Sequence, residues 1–521
     1  MKRTQGDKLV GKRVEFGDFQ TPPDLASKVC AFLASRGINP ASIIEPTCGL
    51  GNFIFAALAT FPNVTRAFGM DISAQHIAAA QARLDRRACI PHLDLRVADF
   101  FDLSWREIIS GLPAPVLVVG NPPWVTNSKL STLASGNLPP KANFRGVGGI
   151  EAITGRSNFD ISEWMLMRLV EALHGTPSTL AMLCKTSVAR KILAFSWDRR
   201  LGISDAQVTR IDAFHHFNAA VDACLLHLQF GHPPSRCVAR VYADMTADHP
   251  GAKWGSYDGM MVADADAYAK WMPLWTGAAP SWRSGIKHDC AAIMELIHVR
   301  NNFYRNGLDE IVELEDLLLF PLIKGGRLYA DDYQTAGRFM VVPQRVVGEP
   351  TDFIERTAPK TWHYLHSHLH YLQARGSSIY AGKPPFSIFG IGAYSFAPWK
   401  LAISGLHKSV DFRAVGSLKG KPFVLDDTCY FAPCSNESQA RILARLLNSP
   451  EAREALGAFI FWDSKRPITA EVLRRLDIVA LAQAMRSDTQ TVEAAQAVQG
   501  ANRKIGRAVH RTGPLFAALS P

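Results

Sequence analysis

Hydrophobic and polar positions in the first half of the chain switch repeatedly between a helical and an extended period. "DLASKVCAFLASR" at 24–36 carries apolar residues at helical spacing after "TPP", which predicts a helix with Thr21 or Asp24 near its cap. "SIIEPTCGLGNFIFAALATF" at 42–61 reads as strand, glycine-rich turn and amphipathic helix. A second strand is predicted at 65–73, ending in an acid, with a helix at 74–84, and a third strand at 93–103, again ending in an acid. The run 116–119, "VLVV", has no polar relief and suits a parallel strand buried on both faces. "DISEWMLMRLVEALH" at 160–174 returns to a helix, "STLAMLCKTSVARK" at 178–191 to a strand with a loop, and "DACLLHLQFG" at 222–231 to a last strand. This alternation predicts an α/β, doubly wound, Rossmann-like and mostly parallel sheet over residues 1–240.

Between these elements, 127–158 is rich in Gly, Pro and Lys and lacks periodicity, as expected of a functional loop. Residues 241–280 read as a connection. From 281 to 521 the pattern becomes short strands, many turns and helices near 437–447 and 470–486, a mixed α+β second domain. A length of 521 residues agrees with two domains.

Composition narrows the class. Apolar residues at 47% and charged residues at 20% are globular values, and the longest apolar runs, such as 53–59, fall far short of the roughly 20 residues a membrane helix needs. The basic start "MKRTQGDKLVGKR" has no apolar signal core, so a cytoplasmic protein is expected. Nine cysteines without a CxxC pair suit reduced thiols; Cys429 and Cys434 beside the histidines of 362–371 lack structural zinc spacing, so no metal is expected. A net charge of +10 suits a polyanionic partner without identifying one.

The chemistry gathers at strand ends. After 116–119, Gly120 closes the strand and Asn121, Pro122, Pro123 and Trp124 follow; the prolines lock φ and remove two backbone donors, giving a stiff loop where α/β folds place ligand chemistry. Gly49 and Gly51 let backbone approach a ligand before a helix, although such a turn on its own is also a tight corner. Asp71 stands where doubly wound nucleoside sites hold ribose hydroxyls. Asp99 and Phe100 offer an acceptor and an aromatic face to an adenine. Position 54 is Ile where a dinucleotide fingerprint needs a third glycine, so a pyrophosphate cradle is disfavoured.

In this order the residues resemble the gamma-class S-adenosylmethionine-dependent DNA adenine-N6 methyltransferases, the NPPY/F/W type with a C-terminal target-recognition domain. "GDFQTPPDLA" at 17–26 resembles their N-terminal cofactor motif, "IIEPTCGLGNF" the glycine turn, "GMDIS" the acid after the second strand, "ADFF" at 98–101 the adenine contact and "NPPW" the catalytic loop. "NFDI" at 158–161 and "FHHFNAAVDACLLHLQF" at 214–230 look like later motifs. The resemblance implies S-adenosyl-L-methionine held by Thr21, Glu45, Pro46, Cys48, Gly49, Gly51, Phe53, Asp71, Ile72, Asp99, Phe100 and Asn121. Cys48 is expected to pack rather than react, because amine methylation needs no covalent enzyme intermediate. The resemblance also implies transfer to a flipped adenine, with Asn121 and Pro122 accepting the amine hydrogens and Trp124 and Phe217 stacking on the base; Phe214 is the nearby alternative to Phe217.

Basic residues interleave with aromatics and glycines in the second half, and Lys287, Lys324, Arg375, Lys400, Lys408 and Lys465 are the expected DNA contacts. The expected partners are double-stranded DNA and a separately encoded restriction endonuclease, for a monomeric, nucleoid-associated bacterial enzyme. RNA or protein-glutamine methylation, or a non-catalytic DNA-binding module, are the alternatives. Cytosine N4 methylation is disfavoured because that chemistry more often has Ser at the position of Asn121.

Overall fold

A computed structural model describes residues 20–84, 92–125, 160–231, 237–275, 280–330 and 337–508. The 127–158 loop, residues 17–19 of the N-terminal motif and residues 158 and 159 of "NFDI" lie outside the described residues. The chain divides into two compact units, 1–265 and 266–521.

The first unit is built on a ten-stranded sheet in the order β10-β9-β8-β6-β7-β5-β4-β1-β2-β3. Helix α1 (Pro23–Ser35) precedes β1 (Ser42–Glu45), α2 (Asn52–Thr60), β2 (Arg66–Asp71), α3 (Ala74–Leu84) and β3 (His92–Val97). After α4 (Trp105–Ser110) the chain returns to the middle of the sheet as β4 (Val116–Gly120), buried throughout as its unbroken apolar run requires. β1 pairs parallel with both β2 and β4, with Ser42 opposite Arg66 on one side and Val116 on the other. Strand order therefore reverses between β1 and β4, and such a switch point leaves a crevice at the strands' carboxyl ends. Leu25, Val29 and Leu33 of α1 share a core cluster with Ile43, Leu117 and Val119.

The sheet continues through β5 (Ser178–Lys185), which follows α5 (Ile161–Leu173), and through α6 (Thr186–Asp198), β6 (Ile203–Ile211), α7 (Ala213–Phe217) and β7 (Ala223–Phe230). β7 lies antiparallel between β5 and β6. Two expectations change here. The segment after 185 is a helix, not a loop: its buried Val188, Ala189, Ile192, Leu193 and Ser196 form one helical face, and no Gly or Pro separates it from the strand. Nor is β7 last. β8 (Val238–Tyr242), β9 (Ala252–Tyr257) and β10 (Met260–Val262) widen the sheet, so much of the expected 241–280 connection belongs to the first unit.

The second unit is mixed α+β, with a six-stranded, a four-stranded and a two-stranded sheet. The six-stranded sheet packs Leu296, Leu319, Met340 and Val341 against Ile354 and Leu365 of short helices. The four-stranded sheet is covered by α8 (Glu437–Leu447) and α9 (Thr489–Ala508), through Leu443, Leu447, Ala495 and Val498. The expected helix at 470–486 is two, Ala470–Leu473 and Ile478–Ala484, the second capped by Asp477, whose carboxylate accepts from the amides of Val479 and Ala480 at 2.9 Å each.

Candidate active site at the strand ends of the first unit

The glycine turn is shaped by left-handed backbone. Gly49 has φ 50° and Gly51, at the N-cap of α2, φ 76°; a β-carbon on Gly49 would lie 2.4 Å from Gln20 Oε1. Asp71, at the end of β2, organises the turn: its carboxylate accepts from the Gly49 amide at 2.9 Å and the Ser73 amide at 2.8 Å, with His76 Nδ1 at 3.3 Å. Ile72, immediately after it, is 50% exposed. Glu45, Cys48 and Phe53 sit beneath the turn rather than lining it. Glu45 is buried and accepts from the Ile54 amide at 3.0 Å; burial holds its carboxyl well above the usual range, opposed by that hydrogen bond. Burial likewise pushes the Cys48 thiol up, and Cys48 packs with Ile54 and Ile77, as expected of a residue with no chemical role. Phe53, the second residue of α2, is fully buried. Pro46 is also buried.

Thr21 does not cap α1. Pro22 holds that position, without a side-chain cap bond, while the Thr21 carbonyl accepts from Asn52 Nδ2 at 2.8 Å. At the end of β3, Asp99 accepts from the Phe101 amide at 2.9 Å. Phe100 is buried, its ring 4.7 Å from that of Trp105, and Phe101 beside it is half-buried against Trp164.

The Asn121–Trp124 loop leaves β4 next to this turn, and Thr47 Oγ1 donates to the Asn121 carbonyl at 3.4 Å. Asn121 and Pro123 are half-buried, Pro122 and Trp124 buried. The Trp124 indole donates to the Leu183 carbonyl at 3.4 Å and meets Phe217 edge to face, centroids 5.2 Å apart at 69°. Of the two candidate aromatics, Phe217 is the one brought to Trp124; Phe214 is 66% exposed and lines a separate cavity with Thr186, Arg210 and Val221.

No protein-family model matches the sequence. The type II methyltransferase M.NspV of Nostoc sp. (strain ATCC 29411 / PCC 7524) is 44% identical over 477 residues, covering 90% of this chain and 98% of that protein. The chain belongs to the type II methyltransferases. Among solved structures, the type IIL restriction-modification enzyme MmeI, determined in complex with DNA, superposes with a TM-score of 0.53 over 98% of this chain and 76% of its own, at 12% identity, a likeness of fold. The cofactor of this methyltransferase is S-adenosyl-L-methionine, and the site fits it. Gly49 and Gly51 hold left-handed backbone at the turn, the Asp71 carboxylate stands at the strand end beside them, and Ile72 is exposed next to it.

In the methyltransferase's second unit, the six expected DNA contacts part company. Lys400 is a correction: it is fully buried in the four-stranded sheet, donates to the Ala397 carbonyl at 2.7 Å, and burial lowers its ammonium to about 7. Arg375 donates to the carbonyls of Leu372 at 2.6 Å and Ser387 at 2.7 Å, and lies 3.7 Å over the Tyr380 ring, so it ties chain segments together. Lys324 pairs with the buried Glu295 at 2.7 Å, Lys287 with Asp289 at 3.4 Å, and Lys408 donates to the Trp462 carbonyl at 2.6 Å. Lys465 is exposed. The sequence reading did not single out Thr47 or Lys185, and it took Asp160 only as part of "NFDI" without a role. Lys185 left one signal, a lone charge ending an otherwise apolar strand.

Proposed function

We propose that the chain methylates the exocyclic N6 amine of an adenine turned out of a short site in double-stranded DNA, as the modification partner of a separately encoded restriction endonuclease. The observation that carries this reading is the Asn121–Trp124 loop at the end of β4, adjacent to the glycine turn of β1 at the point where strand order reverses. Bound S-adenosyl-L-methionine supplies an electrophilic methyl group on a sulfonium. The Asn121 side-chain oxygen and the Pro122 carbonyl accept the two amine hydrogens, drawing the nitrogen lone pair out of conjugation and aiming it at that methyl. Trp124 stacks on the extruded base, a contact worth about 1–3 kcal/mol, and Phe217 closes the pocket beside it. Gly49, Gly51, Asp71 and Ile72 seat the cofactor, and Asp99 accepts from its adenine amine.

The second unit serves as the target-recognition domain, with Lys287, Lys324, Lys408 and Lys465 as its candidate phosphate contacts. The basic charge of +10 and the likeness to an enzyme solved on DNA support this part of the reading. Asn rather than Ser at 121 favours adenine over cytosine.

The test is transfer from methyl-labelled S-adenosylmethionine to unmethylated genomic DNA, followed by nucleoside mass spectrometry and methylation-sensitive sequencing. N6-methyladenine in one short context is expected. N4-methylcytosine would overturn the base assignment, and label in RNA or a protein glutamine would overturn the substrate. Sequence-specific cleavage by this chain alone would overturn the separate endonuclease.

A further inference from the structure

Lys185 belongs neither to the cofactor turn nor to the catalytic loop, yet its ammonium reaches that loop. It ends β5, whose other residues are all buried and which pairs parallel with β4, Gly120 opposite Met182. Leu183 and Lys185, two residues apart on this strand, both hold Trp124, the first through its main-chain carbonyl and the second through its side chain. The Leu183 carbonyl accepts from the Trp124 indole at 3.4 Å, and Lys185 Nζ donates to the Trp124 carbonyl at 3.1 Å. The same ammonium pairs with Asp160 at 2.5 Å, where the two side chains are 21% and 8% exposed. Asp160 is itself fixed as the N-cap of α5, accepting from Ser162 Oγ at 2.6 Å and the Ser162 amide at 3.2 Å. Next along the loop, the Val125 carbonyl accepts from the Ile161 amide at 2.9 Å.

Lys185 Nζ is bound at once to a backbone carbonyl of the loop and to a carboxylate anchored at the start of α5, which places it to act on the loop. We propose that Lys185 and Asp160 form a clamp that fixes Trp124 and, through the stiff Pro122–Pro123 link, sets the position of Asn121. Lys185 is thus a positioning residue acting through the loop. The inference rests on reading that loop as the catalytic one.

The experiment is steady-state and single-turnover kinetics of the full chain with Lys185→Met, Lys185→Arg, Asp160→Asn and the Met/Asn double variant. Amide exchange at Trp124 and Val125 and S-adenosylmethionine affinity are measured alongside. A displacement of an ångström at a reacting group costs about 100-fold, so Lys185→Met is expected to lower kcat by about 10- to 100-fold with cofactor affinity within about twofold. Lys185→Arg, which keeps charge and donors, is expected to recover most of the loss. The double variant should be no worse than the worse single variant, because the pair acts as one unit. Exchange at Trp124 and Val125 should rise in Lys185→Met and Asp160→Asn while β1 and β2 stay protected.

Unchanged kcat together with unchanged exchange overturns the proposal. So does a raised KM for DNA with a shallower salt dependence at wild-type kcat, which would make Lys185 a phosphate contact. If Lys185→Met does not fold, Asp160→Asn and Lys185→Arg decide by the same criteria. Failure of the adenine reading registers separately, in which nucleoside the wild type labels, and amide exchange reports on the clamp without any substrate.

Discussion

Replacing Asp71 by Ala separates the proposed cofactor seat from the proposed catalytic loop. The carboxylate, only 14% exposed, accepts from the Gly49 and Ser73 amides and faces His76 Nδ1, so its removal has two costs. The turn loses two charge-assisted acceptors, but at a strand end water can replace them; about 1–2 kcal/mol of stability is at stake, a fall in Tm of about 2–8 °C for a unit of this size. On the proposed reading, ligand binding also loses the acceptor of the ribose hydroxyls. Two such bonds at about 1.5–3 kcal/mol each, discounted by roughly half for water entering the space, leave about 1.5–3 kcal/mol, or about 10- to 150-fold in affinity. Isothermal titration with S-adenosylmethionine measures this, and turnover at saturating cofactor should return to within about threefold of wild type, since Asp71 touches no reacting atom. Asp71→Asn keeps the volume but gives the two amides a half-donor group, so it should lie between wild type and Ala. An affinity within about threefold of wild type, with Tm unchanged, would refute both the ribose contact and the carboxylate's role in ordering the turn.

Asn121→Ala is expected to lower kcat by about 100- to 1000-fold and leave cofactor affinity within about twofold, because the Thr47 bond is to a backbone carbonyl that Ala retains; single-turnover kinetics checks it. For Lys400, burial lowers the ammonium from 10.5 to about 7. Between these values the unfolded chain binds a proton that the folded chain does not, so stability should rise with pH from about 7 to 10.5, and below 7 the full penalty is present. Melts of wild type and Lys400→Met across that range test this: the variant should lose the rise and be the more stable at pH 7. Arg375→Ala should destabilise the second unit by about 2–3 kcal/mol in calorimetry, as its guanidinium bonds to backbone carbonyls are lost. Lys465→Ala should leave Tm unchanged, weaken DNA binding uniformly across sequences, and reduce the salt slope by about one.

The first unit was legible because its elements obey one period each and end in recognisable punctuation. Gly51 at the N-cap of α2, Asp71 closing β2 and the prolines after β4 all fall where the sequence places them. Helix α6 was not legible, since "LCKTSVARK" passes from strand to helix with no breaker, and the Thr186 amide is satisfied by the distant Asp222 carbonyl. In the second unit, residue type misled. Lys400 lies on the central strand Trp399–Ser404, between Cys429–Cys434 and Arg413–Val415, where both faces are covered. Basic and aromatic residues near one another in sequence do not reveal which of them a second layer will bury. Arg375 shows the same limit, because the carbonyls it binds come from residues 3 to 87 positions away.

The two prolines after β4 also dictate how the loop they begin is held. Without amide hydrogens at Pro122 and Pro123, the loop has few donors to offer, so its conformation is fixed through its carbonyls. Asn121 accepts from Thr47 on the cofactor turn, Trp124 from Lys185 at the end of β5, and Val125 from Ile161 at the start of α5. These donors come from segments remote in sequence: one belongs to the cofactor seat, the other two to the elements that brace Trp124. A loop held in this way from both sides has its acceptors in place before substrate arrives, which is what the proposed methyl transfer by positioned acceptors requires.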